Sequence, residues 1–314
     1  MEVETDELDQ LVTQALQHDG RASFSRIAEV LGVSERTVAR RYQRLRGARV
    51  LRVYGHCRPE VVGGTNWLLR IECMPDAAER IASALAARAN TNWVRLTPGG
   101  TEIVCGLRAD ADDVLLTHLP RMQRVVGFTA HCVLNRFRGE DPQWHDWDER
   151  LSAEQSAAFP RPVAATGLPQ LDDVDRAVLD VLVVDGRTSL ADIAAQVGVS
   201  ESAARRRVRD LRESGALHFE VEFEPRAFGR HTEAMLWLTV QPSALASTGD
   251  RLAEHPEIAY SAATSGRTSL VASVICRDVS AFYAYFTHRI GAIPEVAQAE
   301  STLYSRTVKR QRGG

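Results

Sequence analysis

The chain has 314 residues, a formal charge of -3, 44% hydrophobic residues and 25% charged ones. This is an ordinary soluble globular composition with length enough for two or more cores. No run of about 18 apolar residues occurs, which excludes a membrane span, and the acidic, polar start MEVETDELDQ argues against a signal peptide, so a cytoplasmic protein is expected.

In chain order, Leu8, Leu11, Val12, Ala15 and Leu16 recur at helical spacing until Asp19-Gly20 stops them. Ser23 caps a second helix carrying Ile27, Val30 and Leu31. Gly32-Val33 makes a tight turn. Ser34 caps a third helix with Val38, Tyr42 and Leu45 on one face. Val50 to Tyr54 alternates like a strand. Two short helices joined by a tight glycine turn are a helix-turn-helix. Further on, strands are predicted at Trp67–Cys73, Trp93–Leu96 and Ile103–Leu107, the last two flanking Pro98-Gly99-Gly100-Thr101. Helices are predicted at Asp76–Ala89 and from Asp110 to about Met122, and a final strand at Phe128–Phe137. The order βαββαβ is the ferredoxin-like arrangement.

Gly139 to Gln170 reads as a linker, with a short helix at Ala153–Ala158 capped by Ser152 and Gln155, and with Trp144 and Trp147 packed on a domain surface. Then the chain repeats itself. Asp19-Gly20-Arg21 recurs 166 positions later as Asp185-Gly186-Arg187, and the offset holds without a gap from Asp6 to Leu51. Gly32-Val33-Ser34-Glu35 meets Gly198-Val199-Ser200-Glu201, and Leu45-Arg46 meets Leu211-Arg212. The second βαββαβ half follows at Glu233–Val240, Pro242–Glu254, Ile258–Ala263, Leu270–Cys276, Val279–Ile290 and Val296–Val308. The fold class is therefore α+β. Two winged helix-turn-helix domains (1–55 and 171–222) and two ferredoxin-like domains (56–139 and 223–314) stand in tandem around a linker at 140–170.

The third helix of each copy concentrates positive charge on a slightly acidic chain. Lys309 is the one lysine, so arginine content as a whole says little and its placement says more. Such a helix fits the DNA major groove, where guanidinium groups reach phosphates or guanine edges. Arg36, Thr37 and Arg40 in the first copy, and Ser202, Ala203 and Arg206 in the second, are placed for bases, and Arg205 is a further DNA-binding candidate. Arg41, Arg44, Arg207 and Arg209 are placed for phosphates, and Ser34 and Ser200 cap the two helices. A charge run is often only a solvated face, but here it follows a helix-turn-helix and occurs twice. Because the reading helices differ, an imperfect palindrome with unequal half-sites is expected. The basic end Arg306–Arg312 reads as a DNA contact or a loose solvated tail.

A helix-turn-helix followed by βαββαβ resembles the Lrp/AsnC family of bacterial transcription regulators, here as a tandem fusion. The residues that carry the likeness are Leu8-Asp9-Gln10-Leu11-Val12 and Val174-Asp175-Arg176-Ala177-Val178, the Asp-Gly-Arg after each, the turns from Ile27 and Ile193, and the ends at Leu45 and Leu211. The resemblance implies double-stranded DNA as partner and assembly into dimers or tetramers of the fused chain. It also implies an amino acid or related small molecule bound between the ferredoxin-like (RAM) domains near a Gly-x-x-Asp turn. That turn falls on Gly99-Gly100-Thr101-Glu102 and on Gly266-Arg267-Thr268-Ser269, neither of which has the Asp.

No catalytic constellation, cofactor motif or metal-ligand spacing stands out, and no enzyme activity is expected. Five cysteines, an odd number without C-x-x-C pairing, read as buried free thiols. Two alternatives remain. One is an architectural DNA-binding protein that needs no effector. The other is an enzyme like some haem-pathway decarboxylases, which share the two-domain arrangement. Against the second, His118, His131, His255 and His288 do not match between the copies.

Overall fold

A computed structural model describes residues 4–57, 64–109, 123–139, 150–159 and 170–310. The helix expected over Asp110–Met122, and Trp144 and Trp147, lie outside the described residues. The copies do not fold as beads in chain order. Among the described residues, one compact unit takes 4–57, 150–159 and 170–228, and the other takes 64–109, 123–139 and 229–310.

The first unit holds both helix-turn-helix motifs: α1 (Glu7–His18), α2 (Phe24–Leu31) and α3 (Glu35–Gly47), then, after a short helix α5 (Ala153–Ala157), their equivalents α6 (Asp173–Val184), α7 (Leu190–Val197) and α8 (Glu201–Glu213). Each helix starts where the sequence supplies an acceptor. Asp6 and Asp9 form a reciprocal capping box on α1, as Asp172 and Asp175 do on α6. Ser23, Ser34, Ser189 and Ser200 cap the other four. Gly32 and Gly198 end α2 and α7 in the left-handed region, at φ 66° and 78°, where a side chain would clash with its own backbone.

A single helix-turn-helix has little apolar area to bury. Here Val12, Leu16, Ile27, Val38, Tyr42 and Leu45 share one core with Val178, Leu182, Ile193, Ala204, Val208 and Leu211. The wing strands complete the union. β1 (Leu51–Cys57) pairs antiparallel with β6 (Leu217–Phe223), from Leu51↔Phe223 to Cys57↔Leu217. Tyr54↔Glu220 lies at the centre, and these two residues are themselves equivalent in the repeat, so the ribbon is symmetric about them. Part of the expected linker is a strap on the first motif. Ser152 and Gln155 form the capping box of α5, Leu151 and Phe159 are buried in the shared core, and Gln155 Nε2 donates to Val30 O at 3.2 Å.

The second unit holds β2 (Thr65–Cys73), α4 (Ala78–Ala87), β3 (Thr91–Leu96), β4 (Glu102–Ala109) and β5 (Val125–Arg138) from the first copy. The second copy gives β7 (Thr232–Val240), α9 (Leu245–Ala253), β8 (Ile258–Thr264), β9 (Leu270–Cys276), α10 (Val279–Tyr285), β10 (Val296–Leu303) and β11 (Arg306–Lys309). The strand orders β5-β2-β4-β3 and β10-β7-β9-β8 are the same ferredoxin-like order twice. The copies exchange strands. The end of β5 pairs with β8, and β11, its counterpart, pairs with β3. Together the copies make one nine-stranded sheet, each half of which has a helix-covered core on one face. Leu68, Val104, Met235, Trp237, Ala262 and Val271, drawn from both copies, form a further core.

Two expectations need correction. Arg306–Lys309 is a strand, not a loose tail, and the Lys309 ammonium is buried with Nζ donating to Arg88 O at 2.7 Å. The helix expected through Ile290 changes at Phe286 into a π turn, closed by Gly291 N–H on Phe286 O.

A buried histidine gives this unit a pH dependence. His255 Nδ1 and the Tyr285 hydroxyl are hydrogen-bonded at 2.9 Å, and burial, with the charges of Arg289, Arg251 and Arg138, lowers the His255 pKa to about 4. Its neutral form is the folded form. The contribution is therefore complete above the unfolded histidine value near 6.5 and is lost as pH falls toward 4. We expect His255→Gln to flatten the fall in unfolding free energy between pH 6.5 and 4 by about 1–3 kcal/mol in chemical denaturation. An unchanged slope would show that His255 is not the group responsible.

Candidate nucleic-acid interface

Helices α3 and α8 sort their arginines into two kinds. On the inward flank, Arg41 Nη1 lies 2.5 Å from Asp6 and 3.3 Å from Asp9, and Arg44 also pairs with Asp9. In the second copy Arg207 holds Asp172 at 2.7 Å and Asp175 at 3.0 Å. Arginines predicted to contact phosphates are thus matched to the capping carboxylates of α1 and α6. Arg209 pairs with its neighbours Asp210 and Glu213 at the surface.

The outward set is different. Arg36, Arg40 and Arg206 are exposed and have no ion pair among the described residues. Arg205 meets Glu201 at 3.0 Å, an exposed i,i+4 pair that binds weakly and releases easily. The helix starts differ as well. The Ser34 and Thr37 hydroxyls hydrogen-bond at 2.8 Å, and Ser200 bonds Ser202 at 3.0 Å, while Ala203, the equivalent of Thr37, has no polar group.

Asp-Gly-Arg, which marks the repeat in the sequence, also ties the two copies together. Arg21 donates to Gly186 O at 2.9 Å and Thr188 O at 3.0 Å, while Arg187 donates to Gly20 O at 2.8 Å and Ala22 O at 3.0 Å. The Arg187 guanidinium lies over the Phe24 and Tyr42 rings, and that of Arg21 over Phe219. Reciprocally again, Arg46 pairs with Asp185 at 2.5 Å and Arg212 with Asp19 at 3.1 Å. Each motif is clasped by the other through equivalent residues. The signal available in the sequence was a charged triplet repeated whole where helix termination needs only the Asp-Gly.

The candidate effector turns are also partly committed. Gly99 and Gly100 stand at positive φ, and Thr101 O accepts from Cys73 N–H at 3.0 Å. The Glu102 carboxylate takes Arg70 Nε at 2.7 Å, and Arg70 reaches on to Glu300, also at 2.7 Å, with its guanidinium over the Trp237 ring. In the second copy the Ser269 hydroxyl is closed on Val240, donating to its O at 2.8 Å and accepting from its N–H at 2.9 Å. The Thr268 carbonyl accepts from the Thr264 hydroxyl, Gly266 packs beside the His131 ring, and Arg267 is exposed with no partner among the described residues.

Comparison with known proteins gives this arrangement its relatives. The AsnC-type helix-turn-helix domain matches twice, at residues 6–46 and 171–212, and the Lrp/AsnC ligand binding domain matches residues 233–313. The HTH-type transcriptional regulator Ptr1 of Methanocaldococcus jannaschii is 30% identical over 140 residues, which are 44% of this chain and 95% of that protein.

The chain belongs to the Lrp/AsnC family.

A second Lrp/AsnC relative, the HTH-type transcriptional regulator FL11 of Pyrococcus horikoshii, is 29% identical over 44% of this chain and 92% of its own length. Less than half of this chain thus spans almost all of each relative, as two fused Lrp/AsnC modules require. Among solved structures, the siroheme decarboxylase NirDL covers 98% of this chain and 93% of its own, with a TM-score of 0.64 at 13% identity. That likeness shows a shared tandem fold. Among the described residues, no helix of this Lrp/AsnC chain is long and apolar enough to cross a membrane.

Proposed function

We propose that the chain is a cytoplasmic, sequence-specific DNA-binding transcriptional regulator that places α3 and α8 in successive major grooves. The observation that carries this is the sorting of arginines. Those on the inward flank are matched to buried or capping carboxylates, whereas Arg36, Arg40 and Arg206 stand exposed with no ion pair among the described residues. The two helices read different bases, so the operator is an imperfect palindrome with unequal halves. Assembly into dimers or tetramers of the fused chain would set several such pairs along one DNA.

An amino acid or related small molecule is the effector class for the ligand-binding domains. At the first turn, Glu102 takes a ligand ammonium only by releasing Arg70, which makes the Arg70–Glu102–Glu300 network the element an effector would rearrange. The second turn has no acid, which supports unequal occupancy of the two copies.

The test is a gel shift and footprint on DNA upstream of the protein's own gene, at two salt concentrations. Localised protection is expected, with Arg40→Ala/Arg206→Ala weakening it by roughly tenfold to a hundredfold per arginine that reads a base. Steep salt dependence with no localised protection would instead favour the architectural reading. A decarboxylase reading is favoured by the whole-chain fold of NirDL. Carbon dioxide release from an added iron tetrapyrrole, without DNA binding, would establish it.

A further inference from the structure

We propose that the ribbon between the two helix-turn-helix motifs is a binding site for one divalent transition-metal ion of the zinc class, held by His56, His218 and Glu220. His56 and His218 are direct cross-strand partners on β1 and β6, with ring centroids 4.8 Å apart. Glu220 lies two residues from His218 and so on the same face of the ribbon. Its Oε1 is 3.3 Å from His218 Nε2 and 3.9 Å from His56 Nδ1, and one ligand atom from each residue falls within 4.8 Å of the others. A tetrahedral zinc ion with bonds of about 2.0–2.2 Å sets its ligand atoms about 3.3–3.6 Å apart, so small side-chain rotations close the set.

The surroundings suit a metal site. His56, His218 and Glu220 are all largely buried, which removes competing water. The Tyr54 hydroxyl donates to Glu220 Oε2, which leaves Oε1 turned toward the imidazoles, as an outer hydrogen bond orients a ligating carboxylate. Two imidazoles and a carboxylate leave a fourth position for water. This donor set selects zinc, nickel or cobalt over calcium or magnesium.

The site occurs once per chain because the repeat is broken here. The equivalents of His56 and His218 are Glu222 and Arg52, which pair with each other in register at the opposite end of the ribbon. A metal ion would tie β1 to β6 beside the centre of the symmetry and fix the separation of α3 and α8. The ion site stands apart from the DNA reading, and only its effect on operator affinity rests on that reading.

The experiment uses full-length protein stripped with chelator and titrated with Zn²⁺ by calorimetry and with Co²⁺ by visible absorption. The expected result is one ion per chain, with the visible bands of four-coordinate Co²⁺ and no thiolate charge transfer. Glu220→Gln and His218→Ala should each weaken binding at least tenfold, with calorimetric unfolding confirming that each variant is folded. Less than a tenth of an equivalent bound by wild type would overturn the proposal, as would thiolate bands or wild-type affinity in both variants. The wild-type titration decides even where a variant fails to fold. Loss of operator binding on adding Zn²⁺, or a gain, tests the second step separately.

Discussion

Arg187→Ala is expected to destabilise the helix-turn-helix unit by about 2–4 kcal/mol, and Arg21→Ala by a similar amount, while leaving the ferredoxin-like unit unchanged. Each guanidinium makes two charge-assisted hydrogen bonds to carbonyls of the opposite copy, and such bonds contribute about 1.5–3 kcal/mol apiece before desolvation is charged against them. Desolvation is real here. Burial lowers the pKa of both guanidinium groups, and for Arg21 the nearby charge of Arg187 lowers it further, though arginine stays protonated. The aromatic faces of Phe24, Tyr42 and Phe219 offset part of that cost. Arg21→Lys should not recover stability, because an ammonium cannot reproduce the fork in which Nη1 reaches Gly186 O and Nη2 reaches Thr188 O, and Arg187→Lys, although Arg187 gives both its bonds from Nη1, loses the planar stacking on Phe24 and Tyr42. Hydrogen exchange resolved by unit is the measurement. Protection should fall across α1–α3 and α6–α8 together and stay unchanged in β7 and β9. A loss confined to one motif would mean that the clasp does not couple them.

Much of this architecture was legible in the sequence, for physical reasons that particular residues show. The caps Ser23, Ser34, Ser189 and Ser200 and the turn glycines Gly32 and Gly198 act locally, within one turn of chain, so sequence spacing reveals them. The gapless 166-residue offset exposed the duplication. What stayed hidden depends on pairing across the repeat. Alternation in β1 predicts a strand but not that its partner is β6, and no spacing rule places Asp185 beside Arg46. His56 and Glu220 are far apart in sequence, so motif searches for metal ligands pass over them. The basic segment at Arg306 hid its role because edge pairing with β3 is a backbone property, largely indifferent to side-chain charge. Helix periodicity puts Arg41 and Arg44 on the polar face of α3, and the face they share with Asp6 and Asp9 becomes visible only when α1 packs across α3.

That last pairing separates two roles for charge on one helix. In the variant Arg41→Ala/Arg44→Ala, Asp9, fully buried, loses both cations and keeps only the N–H of Asp6 as a hydrogen-bond donor. Breaking a buried pair from one side costs about 3–5 kcal/mol, and the partial exposure of both arginines places this case near the lower end. Adding Asp9→Asn removes the stranded charge yet keeps an oxygen for Asp6 N–H, so the triple variant should regain about half of the loss in chemical denaturation. DNA affinity should move differently. Measured well below the unfolding temperature, the double variant should bind its operator within a few fold of wild type, whereas Arg40→Ala should lose affinity with no change in stability. If the double variant instead lost binding while remaining as stable as wild type, Arg41 and Arg44 would be phosphate contacts after all. The carboxylates beside them would then be counter-ions that DNA displaces. The stability measurement and the binding measurement together therefore decide which arginines of α3 hold the protein and which address the nucleic acid.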